Sequence, residues 1–99
     1  MPKFSRLQKF IKSNIEDVPT NKAVVYKIKN AAGENLYTGI AGRGRGQERL
    51  LEHKQFKKDL IPGGTKFQYA QVKTKDIAER IEKQIIGKED PEFNIQHKK

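Results

Sequence analysis

Five residues of this chain have the types and spacing to act on a phosphodiester: Tyr26, Tyr37, Arg49, His53 and Glu82. Breaking such a bond needs an activated water, neutralisation of the charge that develops on the phosphate, a stabilised leaving oxygen and a grip on the backbone in line. Arg49 offers a planar, bidentate grip on phosphate. Tyr26, Tyr37 and His53 are candidates to orient or deprotonate the water. Residue type alone leaves open whether Tyr26 or His53 takes the proton. Glu82 offers an oxygen ligand to a magnesium or manganese ion, and magnesium commonly uses only one or two carboxylates and keeps several waters. The chain has no cysteine, which excludes thiol catalysis, disulfides and cysteine zinc sites. His53 and His97 are its two histidines, and His97 lies in the tail, which argues against a multi-histidine metal site.

The elements that must position these groups are legible in order. Val24, Val25, Tyr26 and Ile28 are β-branched or aromatic, which predicts a strand over 23–30. A short turn, Ala31-Ala32-Gly33-Glu34, leads to a second strand over 35–40. A link this short makes an antiparallel hairpin that brings Tyr26 and Tyr37 toward each other. Residues 41–46 read Ala-Gly-Arg-Gly-Arg-Gly, a loop whose glycines let its backbone approach another molecule. It lacks the Gly-Lys-Ser/Thr ending of a Walker loop. Arg43 and Arg45 on this loop, with Lys54 further on, are candidate contacts to nucleic acid. A helix is expected over 46–60, ended by Pro62-Gly63-Gly64. At roughly 100° per residue, Arg49, His53, Phe56 and Leu60 share one narrow face of it. The arginine and histidine should therefore look inward or along the edge of a cleft.

A third strand is expected over 66–73, followed by a helix from Thr74 through Ile86 that Gly87 stops. Its apolar set is Ile77, Ala78, Ile81, Ile85 and Ile86, and Glu82 lies inside that arc. A carboxylate there is costly unless it is paired or bound to a cation. Residues 4–15, with Phe4, Leu7, Ile11 and Ile15 at helical spacing, predict an amphipathic N-terminal helix. That helix is read as packing on the sheet in preference to touching DNA or a membrane. Pro19 ends it, within the connector 17–21.

The 99 residues make one domain: helix and connector over 1–18, core over 19–95, frayed tail over 96–99. Phe93 and Ile95 should return the chain to the sheet. The formal charge of +9 favours a polyanionic partner, with nucleic acid ahead of an anionic membrane surface. No apolar run approaches the roughly 18 residues of a membrane span. The N-terminus lacks the apolar core of a signal peptide. A cytoplasmic protein is the simplest expectation.

Taken together these residues resemble the GIY-YIG nuclease superfamily. Val24-Val25-Tyr26 stands where that family has Gly-Ile-Tyr, and Tyr37-Thr38-Gly39 where it has Tyr-Ile-Gly. Arg49 and His53 match the arginine, and the histidine often found four residues later, of the family's first helix. Ile81-Glu82-Lys83-Gln84-Ile85-Ile86 and Pro91-Glu92-Phe93-Asn94 resemble its metal-binding glutamate helix and closing Pro-x-x-Asn. Two departures are Val24 in place of the first glycine and a slightly longer Gly-Arg loop.

The resemblance implies an α+β fold with a central three-stranded antiparallel sheet flanked by helices, β-β-α-β-α, to which the N-terminal helix is added. It implies one divalent metal on Glu82 and a Tyr26 that acts as base or orients water. Tyr37 would support it, Arg49 would hold phosphate and His53 would assist proton transfer. Gly39 and Asn94 would be structural, near the site. The implied activity is a DNA endonuclease leaving 3′-hydroxyl and 5′-phosphate ends, with weak sequence preference, a reading of DNA structure, or a partner protein supplying specificity. The alternatives are a non-catalytic nucleic-acid-binding module on the same scaffold and a small basic adaptor using the N-terminal helix.

Overall fold

The structure, a computed structural model, describes residues 2–55 and 60–94. Its elements are β1 (Gln8–Lys9), α1 (Lys12–Ile15), β2 (Ala23–Lys29), β3 (Asn35–Ala41), α2 (Gly46–Gln55), β4 (Lys66–Val72) and α3 (Lys75–Glu89). The fold is α+β. The strands form one antiparallel sheet in the order β1-β4-β2-β3. The sheet therefore has four strands, where three were expected.

The added strand replaces most of the expected N-terminal helix. The main chain of residues 5–10 runs beside β4: Ser5 N–H donates to Tyr69 O at 2.7 Å and Phe10 N–H to Thr65 O at 2.9 Å. Only Lys12–Ile15 is helical. The spacing of Phe4, Leu7 and Phe10 suits a helix, but β4 would otherwise present a row of unpaired backbone groups. Pairing that edge wins over local periodicity. Phe10 and Ile15 are buried, whereas Ile11, expected on the apolar face, is exposed.

Alternation along the strands builds a core on each side of the sheet. Val24, Tyr26 and Ile28 of β2, with Phe67 of β4, pack against Ile15, Val18 and Leu50 on one face. Ala23, Val25 and Val72 meet Ala78, Ile81 and Ile85 of α3 on the other. The first turn of α2 is tied to the connector after α1, because Gln47 Nε2 donates to the carbonyls of Glu16 and Val18 at 3.0 and 2.8 Å. Phe56 lies outside the described residues, as do Ile95 and the tail 96–99. Leu60 is exposed and not helical, so it does not continue the inward face of α2. Phe93 does return to the sheet: its N–H donates to Leu36 O at 2.9 Å. Among the described residues no helix is long and apolar enough to cross a membrane.

Helix α3 starts as its sequence predicts, with the Thr74 hydroxyl accepting from Ile77 N–H. It does not stop at Gly87. It runs on to Glu89 and ends at Asp90, which takes the left-handed conformation before Pro91. A contact distant in sequence holds that last turn: Glu89 accepts from Lys27 Nζ at 2.9 Å and from Asn35 Nδ2 at 3.0 Å. Burial raises the Glu89 carboxyl pKa, but these two donors outweigh it and hold it below the ordinary carboxylate value. A depressed carboxyl stabilises the fold above its unfolded pKa and loses that effect as pH falls through its folded one. Glu89→Gln should therefore cost roughly 0.5–1 kcal/mol at neutral pH, given solvent screening of the pair. Thermal melts at stepwise lower pH should show the wild-type and variant curves converging below the carboxylate range.

Candidate active site

The hairpin sets the first two groups. Tyr26 on β2 pairs with Gly39 on β3, and Tyr37 pairs with Ile28, so both tyrosines lie on one face in adjacent rows. Their ring centroids are 6.3 Å apart. A bulge between Ile28 and Lys29 leaves Leu36 as the extra residue of β3, and Leu36 and Tyr37 are both buried in the same core. Gly39 makes the arrangement fit. A Cβ built there would lie 2.6 Å from Cζ and Oη of Tyr26 and 2.8 Å from the Tyr37 ring.

Helix α2 delivers the next two. His53 is 1% exposed and places Nε2 2.9 Å from the Tyr26 hydroxyl, with its ring 4.7 Å from that of Tyr37. Arg49, one turn earlier, is partly exposed. It pairs with Glu52, and its positive charge acts on the Tyr26 hydroxyl. The Tyr26 hydroxyl and His53 Nε2 share one hydrogen bond, and the imidazole tautomer sets which of the two donates.

Tyr26 is fully buried, and that desolvation pushes its hydroxyl far above the ordinary tyrosine value. The neighbouring Tyr37 and Glu82 push it further, and Arg49 opposes them. Tyr26 is thus a neutral phenol between a fixed cation and an imidazole. Glu82 belongs to α3, on the other face of the sheet, yet its charge is felt at Tyr26. Its own carboxyl is half-buried and raised, first by desolvation, then by Glu79, with Lys83 opposing. Glu82 has no ion pair among the described residues. Nor, among the described residues, do three histidine, aspartate or glutamate side chains gather there into a ready-made metal cage. One desolvated hard-oxygen donor suits a cation that keeps most of its water, such as magnesium.

Beside Arg49 lies a cleft of about 290 Å³ that is also lined by Ile40, Ala41, Gly42, Arg45 and Lys75. Arg45 from the loop and Arg49 from the helix both line it. Arg43 is exposed on the loop and does not line the cleft. Lys54 is not brought to it either, since its ammonium lies 5.7 Å over the Phe10 ring. Lys75 is a lining residue that the sequence pattern did not single out. Asn94 sits outside the β3 edge as a backbone substitute: Thr38 N–H donates to its Oδ1 and its Nδ2 donates to Thr38 O, both at 2.8 Å. It braces the strand that carries Tyr37 and Gly39.

No protein-family model matches the chain, and no curated protein matches it.

Proposed function

We propose that this chain is a divalent-metal-dependent DNA endonuclease of the GIY-YIG kind, with β1 added at the edge of the core sheet. It would hydrolyse phosphodiester bonds to leave 3′-hydroxyl and 5′-phosphate ends. One observation carries the reading: His53 is hydrogen-bonded to the buried Tyr26 hydroxyl, the Tyr37 ring lies beside it, and the charges of Arg49 and Glu82 act on it. The charge of +9 supports a nucleic-acid substrate.

Arg49 belongs to both the cleft and the Tyr26 network. A phosphate held by its exposed side is coupled to the tyrosine behind it. Tyr26 suits a relay better than a free base. As its oxygen accepts a proton, its own proton can pass to His53 Nε2 at 2.9 Å, so the buried ring never has to become a phenolate. Tyr37 packs against the imidazole and keeps it in line. A magnesium or manganese ion on Glu82 would supply positive charge to the phosphate and acidify a bound water.

A non-catalytic nucleic-acid-binding module is the second reading, favoured by the closure of Tyr26 and His53 to solvent. Supercoiled plasmid and branched oligonucleotides, incubated with magnesium, manganese or EDTA, separate the two. The nuclease reading expects metal-dependent nicks that a DNA ligase can reseal. Absence of cleavage on every substrate, with salt-sensitive binding intact, would leave the binding module.

A further inference from the structure

We infer that the cleft beside Arg49 is a second phosphate seat, which takes a backbone phosphate of nucleic acid next to the one presented to Tyr26, with Lys75 as its principal cation. Its relation to the cut rests on the nuclease reading, but its affinity for nucleic acid does not.

Three elements contribute to the seat: Arg45 from the loop after β3, Arg49 from α2 and Lys75 from the start of α3, over a floor of Ile40, Ala41 and Gly42. Among the described residues no carboxylate lines it. A volume of about 290 Å³ admits a phosphate and part of its water, a water occupying roughly 30 Å³ in the liquid. The three cations are not equivalent. Arg45 is paired with Glu48 and Arg49 with Glu52, each at i+3 on α2. Lys75 has no acidic partner among the described residues. Its charge is therefore fully available to a ligand.

Lys75 is also badly placed for the helix it begins. The first turn of a helix favours negative charge, and Asp76 follows that rule while Lys75 breaks it. A residue that breaks a local rule beside a candidate site is better explained by a ligand than by the fold. An anion in the cleft would relieve the conflict. A polyanion suits it better than a lone small anion, because Arg49 joins this cleft to the Tyr26 network and so asks for charges in series.

The test is fluorescence anisotropy with a labelled short duplex in EDTA, over a series of salt concentrations. It compares wild type, Lys75→Gln and Lys88→Gln. Lys88 is an exposed lysine on the same helix, roughly 20 Å away at 1.5 Å per residue. Lys75→Gln should weaken binding several-fold and reduce the slope of log K against log salt by about 1. Its Tm should equal or exceed that of wild type, which separates lost contact from lost fold. Lys88→Gln should leave the slope unchanged. An unchanged slope in Lys75→Gln, or an equal loss in both variants, would overturn the seat. So would Lys75-dependent binding to phosphatidylserine vesicles without Lys75-dependent binding to DNA. Where the wild type cleaves, Lys75→Gln should raise KM and leave kcat nearly intact. Where the wild type proves inactive, the anisotropy arm still decides the seat, and only the nuclease reading fails.

Discussion

Gly39→Ala is expected to lower stability by roughly 1–3 kcal/mol and to remove most of the cleavage activity. The added methyl would meet Cζ and Oη of Tyr26 at 2.6 Å and the Tyr37 ring at 2.8 Å. Real carbon atoms do not come that close, so something must move. The backbone of β3 cannot easily give. It is laddered to β2 along its length, and Asn94 clamps Thr38 from outside. The Tyr26 ring must therefore shift, and with it the hydroxyl that is bonded to His53 and feels the charge of Arg49.

A chemical melt would read the stability term and plasmid nicking the activity term. Gly87→Ala supplies the contrast. Nothing lies within 4 Å of a Cβ built at Gly87, which sits exposed within α3. There the same substitution should stabilise by about 0.5–1 kcal/mol, through helix propensity and lost unfolded-state freedom, with cleavage unchanged. Gly39→Ala that melts and cleaves like wild type would mean that Tyr26 has another place to go, and the close fit would then have no functional weight.

The same contacts explain which parts of the molecule could be read from residue order. The strand pair that carries the tyrosines is short-range: runs of β-branched and aromatic residues on either side of a turn at Gly33 admit little but a hairpin. The inward phase of His53 follows from the helical period alone, and so does the position of Glu82 among isoleucines. What escaped was decided at a distance. Residues 5–10 become an edge strand because β4 needs hydrogen-bond partners, a demand that nothing in the N-terminal sequence expresses. Gly87 stays helical because Glu89 finds Lys27 and Asn35. Lys75 joins Arg45 and Arg49 only once β4 has paired with β2 and set the start of α3 beside the cleft, so no local spacing links them. Its local trace was a cation at a position where helices favour anions.

Glu82→Gln should separate activity from stability most sharply, because its two effects have opposite signs. Cleavage should fall by on the order of 10³-fold or more, the scale expected when a group that balances transition-state charge is lost. In EDTA the variant should melt higher than wild type. The half-buried carboxylate gives up hydration, has Glu79 as a like-charged neighbour and has no ion pair among the described residues. A carboxyl whose folded pKa is raised burdens the fold with its charged form. That cost is complete above the folded pKa and vanishes below the unfolded one, so the Tm advantage of the glutamine should be present at neutral pH and absent in acid. Added magnesium should raise the Tm of wild type and leave the variant unmoved, since binding stabilises only the protein that can bind. An inactive variant that also melts lower in EDTA would instead mark Glu82 as a structural residue, and the loss of cleavage would then say nothing about a metal.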